Sequence, residues 1–211
     1  MSDKLLPPSG PGRPKDPAKR QAILEAAKTL FLRRGYDGSS MDVIAAEAGV
    51  SKLTVYSHFT DKETLFSAAV KAKCEEQLPE LLFELAEGVP VESVLLNIGR
   101  GFHGLISSRE SIELHRLMVA LGSQDPKLAK IFFDAGPQRI LHEMEHLLTQ
   151  VDQRGLLQIA KPLNAAEHFF CLIKGGINFR LMCGCGEPLE AAAAEAHVHE
   201  VVELFIRAYR P

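Results

Sequence analysis

A three-residue turn, Gly49-Val50-Ser51, lies between two short helix-forming segments and limits the possible folds more than any other feature of the chain. The segment before it, MDVIAAEA, follows a capping-box pattern at Ser39-x-x-Asp42. The segment after it is polar and begins at Ser51, a preferred N-cap residue. Helices this short are marginal in water and must be held by their neighbours. Two such helices joined by a glycine-containing turn predict a helix-turn-helix.

Helical periodicity dominates the rest of the chain, and no segment has a convincing strand pattern. Asp16-Pro17 predicts the start of a first helix that ends at Gly35. A second capping box, Thr60-x-x-Glu63, predicts a fourth helix that Pro79 should kink or split. Longer helical stretches follow at 91–107, 109–122, 126–153, 163–182 and 189–209. We therefore expect an all-α fold of about nine helices, with an N-terminal helix-turn-helix three-helix domain and a larger C-terminal helical domain.

Composition and charge suggest how these parts are divided. Residues 1–16 contain four Pro and two Gly without an apolar period, so we expect a disordered basic arm. Residues 17–66 then form the helix-turn-helix domain, with the motif at about 40–59, and residues 67–211 form the C-terminal domain. The first 66 residues hold ten Lys/Arg and eight Asp/Glu, whereas the rest hold 14 and 19. A basic end on an acidic chain points to a nucleic-acid partner.

The polar segment after the turn carries residue types suited to double-stranded DNA. Hydroxyl, imidazole and ammonium groups bind phosphates or base edges, and they are supplied here by Ser51, Lys52, Thr54, Tyr56, Ser57 and His58. Leu53 can contact a thymine methyl group. Lys62 lies in the first turn of the fourth helix, where a cation opposes the helix dipole. That placement is expected if the lysine and the helix N-terminus bind a phosphate together.

The region from about Lys19 to Phe66 resembles the DNA-binding region of the TetR family of bacterial transcriptional regulators. The matching runs are ILEAAKTLFLRRGYDGSSMDVIAAEAGVS and TVYSHFTDKETLF. The resemblance implies three sets of contacts: phosphate contacts from Ser40, Tyr56, His58 and Lys62, base or groove contacts from Lys52, Leu53 and Thr54, and supporting roles for Ser51 and Ser57. Position 57 is often aromatic in relatives, so the serine is a departure. A minor-groove role for the basic residues Arg13, Lys15, Lys19 and Arg20 is a hypothesis.

TetR-like proteins are dimers whose C-terminal helices bind a small molecule. Two stretches, DPKLAKIFFDAGPQRILHEMEHLLTQVDQRGLL and AAEHFFCLIKGGINFRLMCG, are similar to the C-terminal domain of the AefR-like branch. The resemblance implies a homodimer interface on the last two long helices, with candidate residues Gly175, Gly176, Phe179, Met182, Val198, Val202 and Phe205. It also implies a repressor that binds a palindromic operator and is released by a small apolar or amphipathic ligand.

The ligand pocket is expected where aromatic and aliphatic side chains meet a few polar groups. The candidate residues are Phe102, His103, His115, Met118, Leu121, Phe132, Phe133, Phe169, Phe170, Lys174 and Asn178. The alternative for each of them is a place in the hydrophobic core.

A second hypothesis keeps the fold and makes the protein a thiol- or metal-responsive regulator. Cys183-Gly-Cys185 supplies the thiols, and His142 and His146 share a helix face. The chain lacks C-x-x-C pairs and H-E-x-x-H, so no metal site is predicted, and nothing indicates a cofactor. The absence of G-x-S-x-G and P-loop motifs argues against an enzyme. Without a long apolar run, we expect a cytoplasmic protein that does not insert into membranes.

Overall fold

The computed structural model describes residues 16–211, and all regular secondary structure in that part of the chain is helical. Ten α-helices follow one another: α1 (Pro17–Arg34), α2 (Met41–Glu47), α3 (Lys52–His58), α4 (Lys62–Gln77), α5 (Val91–Ser107), α6 (Arg109–Leu121), α7 (Pro126–Phe133), α8 (Arg139–Gln153), α9 (Pro162–Cys183) and α10 (Ala191–Ala208). The predicted all-α class is confirmed. Arg13 and Lys15 of the predicted arm lie outside the described residues, whereas Lys19 and Arg20 belong to α1.

Helix starts follow the predicted chemistry, although two cap residues are shifted by one position. Asp16 accepts a hydrogen bond from the Ala18 amide, as expected for the cap of α1. The cap of α2 is Ser40, not Ser39, because Ser39 is buried and donates its hydroxyl to the Gly35 carbonyl. The cap of α4 is Asp61, not Thr60, and the hydrogen bond from the Thr64 amide lowers the pKa of the Asp61 carboxyl.

The predicted helix at 126–153 is divided into α7 and α8 by a π-helical turn at Asp134–Gln138. Pro137 lies inside this turn and has no amide hydrogen for the helical ladder, so the chain widens locally. Gly136 faces α4 closely: an added Cβ would lie 3.1 Å from Val70 and 3.3 Å from the Cys74 sulfur. The turn therefore brings the backbone against α4.

Proline and glycine also shape the two ends of the C-terminal region. As predicted, the helical run is split at Pro79, and α4 ends at Gln77. A 3-10 turn follows at Glu80–Phe83. Gly175 adopts φ +52° inside α9 and bends that helix. His197 of α10 donates from Nε2 to the Ile173 carbonyl beside the bend, at 3.0 Å.

The helices enclose two hydrophobic cores, and α4 contributes to both. The first core joins α1–α4 to residues of α6 and α7, with Phe66 of α4 fully buried in it. The second joins the end of α4 to α5, α8, α9 and α10, and it includes Cys74. The predicted division after residue 66 thus falls inside a continuous helix. None of the helices within residues 16–211 combines the length and apolar character needed to span a bilayer.

Candidate DNA-binding surface and ligand cavity

Helix α3 is held against the first core by two buried side chains. Val55 is fully buried, and Phe59, just after the helix, is 3% exposed. Gly49 adopts φ +65° in the preceding turn, and an added Cβ would have open space around it. Glycine is favoured there by its backbone conformation and not by crowding. Ser51 accepts from the Thr54 amide at 3.1 Å and caps the helix.

The opposite side of α3 faces outward and collects the residues predicted to contact DNA. Lys52, Leu53, Tyr56 and Ser57 are exposed, while Thr54 and His58 are half-buried. Leu53 is 82% exposed, the highest value among the large hydrophobic residues that the structure describes. The hydroxyls are partly engaged: Ser51 and Thr54 oxygens are 2.8 Å apart, and Ser57 donates to the Thr54 carbonyl. A polar surface with one prominent aliphatic side chain results.

Lys52 is paired within the protein. Its ammonium lies 2.8 Å and 2.9 Å from the two carboxylate oxygens of Asp42 on α2, and this hydrogen bond raises the pKa of Lys52. Both side chains are exposed, and exposed ion pairs contribute little to stability. Lys52 can therefore exchange Asp42 for another anion at small cost.

Lys62 is half-buried at the start of α4 and contacts Tyr36. Its ammonium donates to the Tyr36 carbonyl at 3.0 Å and lies 3.9 Å from the centre of the Tyr36 ring. Burial, together with Glu63 and Asp61, raises the pKa of Tyr36 to about 12. These contacts give the lysine a structural role beside the predicted phosphate contact. An ammonium has three donors, so two hydrogens remain for a phosphate.

The remaining predicted residues lie around the same surface. Ser40 is exposed, and its hydroxyl accepts from the Val43 amide as the cap of α2. Lys19 and Arg20 are exposed on α1, with the Arg20 guanidinium 5.2 Å from the centre of the Phe59 ring. Two of these residues thus lie close to the helix-turn-helix, since Ser40 caps α2 and Arg20 approaches Phe59 at the end of α3.

A cavity of about 330 Å³ lies between α4 and the C-terminal helices. Six of the predicted pocket residues line it: Phe102, His115, Phe132, Phe133, Phe170 and Lys174. The aromatic rings make most of its surface apolar, and polar groups are few. This composition matches that of small-molecule sites.

The pocket assignment needs correction at four positions. Met118 is buried in the first core, and Phe169 is fully buried in the second. His103 is directed toward α10, with its ring 6.2 Å from the His197 ring, and Asn178 donates to the Ile106 carbonyl. None of these four lines the cavity. The side chain of Leu121 lies outside the described residues.

Several polar groups of the cavity were not predicted. Glu167 and Cys171 line it together with Lys174, and their spacing of four and then three residues puts all three on one face of α9. That spacing was a signal available in the sequence. Lys73 and Cys74 of α4 also line the cavity. Burial raises the pKa of Cys74 to about 11, so its thiol stays protonated.

Residues predicted for a homodimer interface fall into two groups. Gly175, Gly176 and Phe179 are exposed on α9, with Phe179 72% exposed, and Met182 is half-buried. Three residues of α10, namely Val198, Val202 and Phe205, are each 1% exposed inside the second core. They cannot contact a second copy and instead fix α10 to its own chain.

The sulfur and imidazole groups of the second hypothesis are separated. Cys183 and Cys185 are exposed free thiols at the end of α9. His142 and His146 each accept a hydrogen bond from a glutamine, Gln138 and Gln150 respectively. No cluster of three or more metal-ligating side chains occurs in the part of the chain that the structure describes.

Two known domain families match this chain, one in its N-terminal part and one in its C-terminal part. Residues 23–69 match the profile of bacterial regulatory proteins of the tetR family, and residues 93–211 match the AefR-like transcriptional repressor, C-terminal domain. The chain belongs to the TetR family of bacterial transcriptional regulators. It is a DNA-binding helix-turn-helix regulator and not an enzyme.

Similar proteins support the TetR assignment along most of the chain. The HTH-type transcriptional regulator YdeS of Bacillus subtilis (strain 168) is 30% identical over 178 residues, 81% of this chain and 82% of YdeS. A TetR-family structure from Mesorhizobium loti MAFF303099 has 32% identity and a TM-score of 0.76, covering 92% of this chain and 97% of that one. The Flavonoid-responsive Regulator FrrA has 28% identity and a TM-score of 0.71, covering 93% and 99%.

Proposed function

We propose that this TetR-family protein is a cytoplasmic repressor that binds a palindromic operator as a homodimer and is released by a small apolar or amphipathic ligand. The observation that carries the proposal is the outward face of α3, which Val55 and Phe59 hold from behind. In helix-turn-helix proteins the second helix enters the major groove, and a dimer presents two such helices about 34–36 Å apart.

The proposed contacts divide into those that position the protein and those that read sequence. Phosphate contacts come from Ser40, Tyr56, His58 and Lys62. Lys52, Leu53 and Thr54 approach the base edges, and Ser51 and Ser57 support the helix. The exposure of Leu53, at 82%, favours a direct apolar contact with a thymine methyl group.

The proposed ligand enters the cavity lined by Phe102, Phe132, Phe133 and Phe170. Its apolar walls favour a ring or hydrocarbon body. FrrA, a relative of similar fold, is named for its response to flavonoids, which are aromatic compounds with polar substituents. A small aromatic effector is therefore the leading choice.

Helix α4 provides a physical connection between ligand and DNA. Lys62 and Phe66 lie at its DNA-binding end, whereas Val70 and Cys74 line the cavity. Arg139, at the start of α8, lies 3.6–4.0 Å from carboxylates of Glu75, Glu80 and Glu143 and ties α4 to the helices behind the cavity. A ligand that binds more tightly when α4 has a different position shifts the spacing of the two α3 helices and so lowers the affinity for DNA. By thermodynamic linkage, bound DNA lowers the affinity for the ligand by the same factor.

The test is selection of genomic fragments by the purified full-length protein at a defined salt concentration. We expect enriched fragments to share a palindrome whose half-sites are one helical turn apart, or a multiple of one turn. Fluorescence anisotropy with the selected site then measures release by candidate aromatic compounds. Enrichment without a common palindrome would contradict the proposed dimeric docking.

A further inference from the structure

We infer that the cavity selects an aromatic ligand carrying a phenolic hydroxyl, which donates its hydrogen to Nε2 of His115 and accepts from the ammonium of Lys174. The inference rests on the proposed ligand cavity and names the chemical class that would occupy it. It depends on three features: the tautomer of His115, the aromatic walls around it, and the charge of Lys174.

The hydrogen bond to Ser111 sets the tautomer of His115. Nδ1 lies 2.7 Å from the Ser111 carbonyl oxygen, and a carbonyl only accepts, so the hydrogen is on Nδ1. In the neutral ring, Nε2 is then an acceptor, and it has no hydrogen-bond partner within residues 16–211. Burial lowers the pKa of His115, and the nearby Lys174 lowers it further, so the imidazole is neutral near pH 7. A lone pair in the cavity wall calls for a donor on the ligand.

Aromatic side chains fix the imidazole and shape the space beside it. The His115 ring meets the Phe132 ring edge-on, with centroids 5.2 Å apart at 89°. Two other rings of the cavity wall, those of Phe102 and Phe170, pack with centroids 4.4 Å apart. Aromatic pairs at such separations favour offset or edge-to-face contacts. A flat aromatic ligand can therefore contact ring faces or edges while its substituent reaches Nε2.

The accepting nitrogen of His115 favours a hydroxyl over a carboxylate. Lys174 lines the same cavity as His115 and is close enough to lower its pKa. A phenol can donate to Nε2 and accept from this ammonium with the same oxygen. A carboxylate has no hydrogen for Nε2, so it could pair only with the ammonium groups of Lys73 and Lys174 and would leave Nε2 without a donor.

The experiment uses isothermal titration calorimetry of the full-length protein with three probes of one ring system: 2-naphthol, 2-methoxynaphthalene and 2-naphthoate. The methyl ether keeps the oxygen and removes the donor. A hydrogen bond contributes about 1 kcal/mol, so we expect 2-naphthol to bind about fivefold more tightly than the ether. We expect 2-naphthoate to bind more weakly than 2-naphthol.

Two variants and one control show which side chains cause the preference for naphthol over the ether. His115→Phe keeps an aromatic ring against Phe132 and should bring the naphthol and the ether to equal affinity. Lys174→Met keeps the apolar stem and should reduce the preference for naphthol by a smaller factor. His103→Phe makes the same change at a histidine outside the cavity and should leave the preference intact. Circular dichroism checks that each variant is folded.

Equal affinities of the naphthol and the ether for the wild-type protein, or no saturable binding of the naphthol, overturn the inference. A preference that persists in a folded His115→Phe variant also overturns it. Operator binding is measured separately without any probe. Intact operator binding with no hydroxyl preference would reject this ligand class alone, whereas absent operator binding would reject the proposed function.

Discussion

The DNA-binding surface and the ligand cavity of this TetR-family protein are built on different scales. All the residues proposed to contact DNA lie between Ser40 and Lys62, on the short helices α2 and α3, at their caps and at the first residue of α4. The cavity draws on residues from Val70 to Lys174 and on six of the α-helices. A surface assembled from neighbouring residues is set by local structure, whereas a cavity depends on how distant helices pack.

The two regions also differ in how their polar groups are satisfied. On the DNA-binding surface, Lys52 already contacts Asp42, and Lys62 already contacts Tyr36. In the cavity, Nε2 of His115 has no hydrogen-bond partner among the described residues. DNA must therefore displace or share existing contacts, while a ligand would meet an acceptor that is not in use.

The largest expected effect is on stability, and it comes from comparing a residue of the first core with a residue of the cavity wall. Phe66 is 1% exposed and packs against Phe31 and Tyr36, with ring centroids 5.1 Å and 5.3 Å away. Phe66→Ala should lower the free energy of unfolding by about 3–5 kcal/mol, because it leaves a cavity among these rings. Phe133→Ala, at a residue 46% exposed, should cost about 1 kcal/mol or less. Urea denaturation measures both, and equal losses would contradict the comparison.

Lys62→Ala should weaken binding to every DNA sequence by about tenfold and reduce the slope of log affinity against log salt by about 0.9, because one phosphate contact is lost. The control is Lys71→Ala, an exposed lysine farther along α4. Fluorescence anisotropy at several salt concentrations provides the measurement. An unchanged slope would mean that Lys62 makes no phosphate contact and only forms its contacts with Tyr36.

Leu53→Ala should change sequence preference without changing stability. The side chain is 82% exposed, so its removal should alter the unfolding free energy by less than about 0.5 kcal/mol. Loss of a methyl contact should reduce discrimination at one thymine by about fivefold. Competition between operators with thymine and uracil at each position reports this directly. If the preference for thymine over uracil is the same in the wild-type and Leu53→Ala proteins at every position, Leu53 does not contact a thymine methyl group.

The smallest expected effect comes from releasing Lys52. Asp42→Asn removes the carboxylate that holds the ammonium, and it also removes a negative charge near the DNA. Affinity for all sequences should rise by roughly two- to fivefold, since exposed pairs are weak. Anisotropy at fixed salt measures the change, with Asp37→Asn, an exposed aspartate just before α2, as the control. A lower affinity would show that the pair orders Lys52 for binding.

The sequence predicted the helices well because caps and glycine stops act locally. Where it was wrong by one residue, two adjacent residues could both cap, as with Ser39 and Ser40. The π-helical turn was missed because Pro137 sits in a pattern that is otherwise helical.

The cavity and the dimer surface were harder to predict from the sequence. A stripe of apolar residues on a helix does not show whether it faces the core, a cavity or a second copy of the chain. Phe170 lines the cavity while its neighbour Phe169 is in the core. Val198 and Val202 have the spacing of an interface but pack inside their own chain. Only the packing of distant helices decides between these outcomes.

The bend at Gly175 divides α9 into two segments with different tasks. Before it, Glu167, Cys171 and Lys174 face the cavity, and after it Phe179 lies on the surface proposed to contact the partner. Because the helix changes direction at Gly175, its two segments present different side chains to the cavity and to this surface. If the proposed dimer forms, residues before the bend could change to fit a new compound while the proposed dimer surface after it keeps its sequence.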